Sequence, residues 1–301
     1  MKLLTYEVDG KERVGVLSRD EAWVCPISAA GMDYRTMKEL IRECGPSELE
    51  MLNYISGKDP SEIRGAVPLA DVRVLAPVPE PDQDVICLGI NYLSHAKEAA
   101  KFEKEAFEKP EQAIYFAKRV NRAVDPEGGI SSHRDLTSQL DYEAELAVII
   151  KKDAFRISRE QVRDYVFGYT VLNDVSAREV QTGHKQWYFG KSLDGFTPMG
   201  PWILTADSVE FPPKLAIQSR VNGELRQDSN TELLIHGIEE VICELSSGMT
   251  LKSGTIIATG TPSGVGMGFD PPRFLVPGDV VEWVYTCELG IDVGGYYAAG
   301  G

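Results

Sequence analysis

Apolar and polar positions along this chain fall into blocks that read mainly as β-strands, with a few helical segments between them. Leu3 to Glu7 and Val14 to Leu17 flank Asp9-Gly10, a dipeptide that tolerates the positive φ of a tight hairpin turn. Helical patterns follow around Tyr34–Glu43 and Pro46–Ile55. The polar stretch Ser56–Ser61 ends them, and Val67–Pro79 reads as an extended, proline-punctuated linker. Val85–Gly89 is an apolar strand. From Ser94 the chain turns helical and heavily charged as far as Lys109-Pro110, and Ala113–Lys118 is a short strand. Asp141–Ile150 opens with acid and becomes wholly apolar, as a strand buried on both faces does. Val166–Asn173 repeats that character, and Met199–Leu204 gives a further strand. Leu215–Asn222 alternates into a turn at Asn222-Gly223, and Ile238–Ser246 is an amphipathic helix with His236 as a capping or packing residue before it. Thr255–Pro262 runs from strand into a glycine-rich loop, and Val280–Val284 closes the pattern after a turn at Pro277-Gly278. The fold expected is α+β and mainly β, with a small N-terminal α+β domain over residues 1–70 and a main domain over 71–301.

The candidate chemistry gathers between Asp141 and Lys191. Glu143 and Glu145 are two apart on a strand and so point to one face, at the mouth of an apolar run. Carboxylates placed there repel one another and resist desolvation unless a cation neutralises them. Asp174 ends the second strand. Three carboxylates without a nearby His or Cys form an oxygen-donor set for a hard divalent ion, Mg²⁺ or Mn²⁺ before Zn²⁺. Ordinary salt bridges on a solvated strand face are the alternative. Arg178 and Gln181 follow Asp174 by four and seven residues, which predicts one shared helix face. Gly190-Lys191-Ser192 ends like a phosphate-binding loop, but Lys185 stands where that motif requires glycine, which disfavours nucleotide binding. His95 and Glu98, three apart, are neighbours on one helix face. A carboxylate there orients an imidazole as a base, or the pair is simply solvated. Lys118 is a structural or a substrate-facing cation. The backbone N–H groups and the Thr261 hydroxyl of the glycine-rich loop suit a carboxylate oxygen.

Composition narrows the classes. The 301 residues carry 31 basic and 46 acidic side chains, a formal net charge of −15. That argues against a nucleic-acid or anionic-membrane partner, each of which wants a basic patch, but not against a small anionic substrate beside a bound cation. No apolar run approaches the ~20 residues of a membrane span, and Met1–Asp9 meets acid too early for an export signal. Five scattered cysteines, Cys25, Cys44, Cys87, Cys243 and Cys287, form no C-x-x-C pair and read as reduced thiols of a cytoplasmic protein, Cys87 within the core.

Taken in order, Gly89-Ile90-Asn91-Tyr92 with His95 and Glu98, Asp141-Tyr142-Glu143-Ala144-Glu145, Asn173-Asp174-Val175-Ser176-Ala177-Arg178, Gly190-Lys191-Ser192 and Thr259–Gly266 resemble the fumarylacetoacetate hydrolase family, in its acylpyruvase or 2-hydroxyhepta-2,4-diene-1,7-dioate isomerase-like branch. The resemblance spans about residues 70 to 290. It implies a mixed β-roll and, as in relatives, a homodimer. It also implies a divalent-metal-dependent hydrolase that cleaves a C–C bond in a 2,4-dioxo acid of acylpyruvate type. Decarboxylation of oxaloacetate-like acids or isomerisation of 2-hydroxydienoates on the same site is the alternative. By this resemblance Glu143, Glu145 and Asp174 hold Mg²⁺ or Mn²⁺, and Arg178, Gln181 and Thr261 bind the substrate. His95, Glu98 and Lys191 are then catalytic, with the His–Glu pair activating water. Two departures stand out. The charged run Lys97–Glu111 is longer than in many relatives, so the lid it forms is expected to close differently, and a methionine frequent after Gln227–Thr231 is replaced near Leu233-Leu234.

Overall fold

A computed structural model describes residues 1–103, 111–286 and 292–299. The far end of the expected charged helix and Cys287 lie outside the described residues. The chain is mixed α+β and mostly sheet. Among the described residues the larger sheet has eleven strands. At its centre lies Ala144–Ile150, antiparallel to Val166–Asn173 on one side and to Ile256–Ala258 on the other. Ile256–Ala258 then runs parallel to Val85–Gly89, which pairs with Ile114–Lys118.

Every residue of the central strand is buried, which is why its sequence shows no alternation. Its two faces feed different cores. Leu146, Val148 and Ile150 pack with Ile217, Trp283, Tyr285 and the helix Ile238–Gly248. Ala147 and Ile149 pack with Phe167, Leu172, Cys87 and the helices Met37–Glu43 and Pro46–Ser56. Burying a side chain of this size stabilises by about 1.5–3 kcal/mol, so this strand is a fixed reference for whatever its end carries.

The hairpin Lys2–Val8/Lys11–Leu17 turns at Asp9 (φ 53°) and Gly10 (φ 68°), as its sequence predicts. Its first strand hydrogen-bonds to Ile203–Thr205, with Leu3 opposite Ile203, so the strands of the first 70 residues extend the larger sheet. A second sheet runs in the order Glu224–Asn230, Ala216–Val221, Val280–Thr286, Asp292–Ala299 and Gly129–Ile130. The Asn222-Gly223 turn joins its first two strands. Some boundaries differ from the sequence reading. The first helix begins after its cap Thr36, whose side chain accepts from the Glu39 N–H. The strand expected from Met199 begins at Ile203, because Gly200-Pro201 withholds a donor from any ladder. No helix among the described residues is long and apolar enough to cross a membrane.

Candidate active site

The ends of neighbouring strands deliver the site. The regular central strand starts only at Ala144, and within it Glu145 shares the face of Ala147 and Ile149. Glu143 lies just before it. Asp174 follows the antiparallel neighbour Val166–Asn173, one residue past the Ala144–Asn173 pair. Carboxylate oxygens of Glu143, Glu145 and Asp174 lie within 4.8 Å of one another, all buried. One expectation is corrected here. Asp174 does not share a helix face with Arg178 and Gln181, because Ser176-Ala177 first pairs with Leu140-Asp141 and the helix begins at Arg178. Arg178 and Gln181 do meet, three apart, through Nη1 and Oε1 at 3.1 Å.

Two buried lysines thread this cluster. Lys191 Nζ lies 2.8 Å from Glu143 and 2.6 Å from Asp174, and Lys118 Nζ lies 2.7 Å from the other Asp174 oxygen and 3.0 Å from the Val175 carbonyl. Lys118 thus serves Asp174. Arg178 bridges Glu143 Oε1 at 2.6 Å and Asp141 Oδ2 at 2.9 Å. Asp141, passed over in the sequence as a strand opener, is its anchor. It also accepts the N–H groups of Gly266 (2.6 Å) and Met267 (3.0 Å), tying the strand Leu140–Asp141 to the glycine-rich loop.

Asp141, Glu143, Glu145 and Asp174 set four negative charges against the three positive charges of Lys118, Arg178 and Lys191. The shortfall falls on Glu145, whose carboxylate is held by the Gly260 N–H at 2.8 Å. Burial, then Asp174 and Glu143, push its pKa well above the ordinary carboxyl value. Burial also opposes the charge on Glu143, but Lys191, Arg178 and His95 together outweigh it and hold its pKa below the ordinary value. Burial likewise works against Lys191, and Asp174 and Glu143 together overcome it, leaving the ammonium pKa raised. A hard oxygen-donor set one cation short fits a divalent ion held by Glu143, Glu145 and Asp174.

His95 faces this cluster from the helix Leu93–Glu103; it and Glu143 line the same cavity, of about 30 Å³. Its Nδ1 lies 3.1 Å from Glu98 Oε2, and Glu98 Oε1 accepts the Gly264 N–H at 3.0 Å. Gly268 packs so closely on Glu98 that a Cβ there would overlap the carboxylate. Arg178, Gln181, Lys191 and Thr261 also line the cavity. Arg178 Nη2 is buried without a protein partner. Thr261 differs from its expected use, because its hydroxyl donates to the Ala144 carbonyl (3.0 Å) and accepts from Gln227 Nε2 (2.7 Å). A hydroxyl has one proton, so this one offers a ligand only acceptor capacity.

Sequence reasoning missed two positioning side chains. Gln227 also takes the Ala144 N–H at 3.1 Å, joining the central strand to the loop. Asn91, 1% exposed, donates to the carbonyls of Thr259 (2.8 Å) and His236 (3.0 Å) and accepts the His236 N–H (2.8 Å). It follows Ile90, whose φ of 52° is strained for a β-branched residue. Both stand in segments singled out in the sequence, Gly89–Tyr92 and Gln227–Thr231, but no local pattern gives their roles, since their partners lie far away in the chain.

The architecture and the carboxylate cluster beside the cavity define a family of enzymes. The profile of the fumarylacetoacetate (FAA) hydrolase C-terminal family matches residues 84–291, and the chain belongs to that family. Oxaloacetate tautomerase YisK of Bacillus subtilis (strain 168) is 48% identical over 214 residues, which cover 71% of this chain and 70% of that one. The solved structure of fumarylacetoacetate hydrolase from psychrophilic Exiguobacterium antarcticum is 37% identical, with a TM-score of 0.81 over 100% of this chain and 99% of its own. That of maleylpyruvate hydrolase from Sphingobium sp. SYK-6, in complex with manganese(II) ion and pyruvate, is 31% identical, with a TM-score of 0.74 over 100% of both chains.

Proposed function

We propose that this protein is a divalent-metal-dependent enzyme for small 2-oxo acids that works through their enol forms, interconverting the keto and enol forms of an oxaloacetate-type acid. The observation that carries the proposal is a base facing a metal-type cluster: His95, held by Glu98, lines the same cavity as Glu143 and Lys191. The 48% identity to an oxaloacetate tautomerase supports the same chemistry.

Glu143, Glu145 and Asp174 would hold Mg²⁺ or Mn²⁺, which when bound polarises the carboxylate and 2-oxo oxygens of the acid and makes its C3 proton acidic. Arg178 Nη2 and the Gln181 amide receive a substrate carboxylate. The Gln181 carbonyl oxygen already accepts from Arg178, which turns its NH₂ away from that bond. Lys191 and Lys118 hold the Glu143 and Asp174 carboxylates in place. With Nδ1–H donating a hydrogen bond to Glu98, His95 Nε2 takes a proton from C3 and returns it to the 2-oxygen, or the reverse.

The second reading is hydrolysis of an acylpyruvate-type 2,4-dioxo acid, with the same imidazole activating a water that attacks the distal carbonyl. The 31% identity to a maleylpyruvate hydrolase over the whole chain favours it. The test supplies Mg²⁺ and offers oxaloacetate and an acylpyruvate side by side, following enol absorbance, pyruvate, free acid and CO₂. Chelator-sensitive keto–enol relaxation of oxaloacetate without CO₂ supports the first reading. Cleavage of the acylpyruvate to pyruvate and acid supports the second, and CO₂ release makes the enzyme a decarboxylase. No metal-dependent change in either substrate refutes the proposal.

A further inference from the structure

We propose that Trp187 sets the length of the substrate arm that the site admits, an inference that rests on the oxo-acid reading above. The cavity is lined by the polar groups of Glu143, Arg178, Gln181 and Lys191 and by the apolar groups of Phe116, Trp187 and Met267. An oxo acid whose oxygens are held by the polar groups brings the rest of its chain against the apolar ones.

Trp187 is fixed there by contacts on three sides. Its ring lies on Gly89, so closely that a Cβ at that glycine would overlap the indole. It meets Phe116 edge-on, with ring centroids 5.3 Å apart at 71°. Its carbonyl accepts the Lys191 N–H at 3.1 Å, so Trp187 and Lys191 belong to one helical turn. That turn is pinned twice more: Lys191 is ion-paired to Glu143 and Asp174, and Gly190 sits against the Gln181 backbone, where a Cβ would fall 2.6 Å from Cα. The indole cannot swing outward as a unit with its backbone without pulling Lys191 from two carboxylates. Trp187 is thus a stiff part of the cavity wall. Gly89 is the complementary residue that lets so large a ring close the space to about 30 Å³.

The test titrates oxamate, N-propyl oxamate and N-hexyl oxamate into Mg²⁺-loaded wild type, W187F and W187A by calorimetry. These amides are unreactive 2-oxo acid analogues with a graded arm, and the readout is binding. In the wild type, affinity should fall about tenfold or more from oxamate to the propyl compound, because the arm meets the wall. In W187A the order should reverse, each admitted methylene gaining about fourfold, which is about 0.8 kcal/mol. W187F should lie between, and it carries the comparison if W187A fails to fold. Identical length profiles in wild type and variants overturn the inference while leaving the oxo-acid reading intact. A wild type that binds no oxamate at all overturns both.

Discussion

Replacing Glu145 by glutamine should stabilise the metal-free protein and remove its response to metal. Glu145 is 1% exposed, and the carboxylates beside it already have cations of their own: Lys191 for Glu143 and Asp174, Lys118 for Asp174, and Arg178 for Glu143. Burial and those two neighbours raise its pKa well above the ordinary value. The folded form therefore binds this proton more tightly than the unfolded chain does. The associated stability is fully present below the unfolded carboxyl pKa and is lost as pH rises through the folded value. A tenfold difference in proton affinity between the folded and unfolded chains is worth about 1.4 kcal/mol. Glutamine keeps an oxygen to accept the Gly260 N–H and carries no charge to desolvate. In EDTA at neutral pH the variant should melt above the wild type, by roughly 2–4 °C for each kcal/mol relieved. Saturating Mg²⁺ or Mn²⁺ should reverse the order, since a ligand at a hundred times its Kd stabilises by about 2.7 kcal/mol and the variant has lost a ligand atom. Differential scanning fluorimetry with and without EDTA reads both effects. A variant that melts below the wild type in EDTA, or one that gains as much from metal, would refute the charge-deficit argument.

The same raised pKa predicts that metal binding releases a proton and tightens as pH rises toward the Glu145 value in the metal-free protein; calorimetry in two buffers of different ionisation enthalpy measures the proton count. Lys191→Met should cost about 3–5 kcal/mol in denaturant melts of the metal-free protein, because it strips the shared cation from Glu143 and Asp174. Asn91→Leu leaves the Thr259 and His236 carbonyls and the His236 N–H without partners, a loss of about 1–3 kcal/mol for each buried group. Its urea midpoint should fall accordingly. Glu98→Gln should lower kcat by about tenfold to a hundredfold while oxamate binding persists, because it loosens the orientation of His95 without touching the metal-type cluster.

The parts of this molecule that were legible beforehand are those written locally. Asp9-Gly10 and Asn222-Gly223 announce their hairpins through backbone angles those residues tolerate. The unbroken apolar run to Ile150 announces a strand covered on both faces, and acids at its mouth announce a charge problem needing a cation. The illegible parts are long-range. Nothing near Glu145 reveals that Gly260, 115 residues away, meets it, nor near Asp141 that it holds both Arg178 and the loop at Gly266. Lys118 offered two uses until the fold put Asp174 beside it. The spacing from Asp174 to Arg178 suits a helix face, yet the intervening Ser176-Ala177 had a better partner in Leu140-Asp141. A pattern of period 3.6 proposes a helix, but only tertiary pairing decides where it starts.

The central claim, that a metal-loaded carboxylate cluster and His95 together labilise the C3 proton of a small oxo acid, is tested most directly by hydrogen exchange. Proton NMR in D₂O would follow the C3 protons of 2-oxobutyrate, which cannot lose CO₂ as oxaloacetate does, with wild type and His95→Asn, each with Mg²⁺ and with EDTA. The account predicts catalysed exchange in the Mg²⁺-loaded wild type alone, reduced by about 10²–10⁴-fold in the variant and abolished by chelation. Exchange that persists undiminished in His95→Asn, or that proceeds equally without metal, would contradict it.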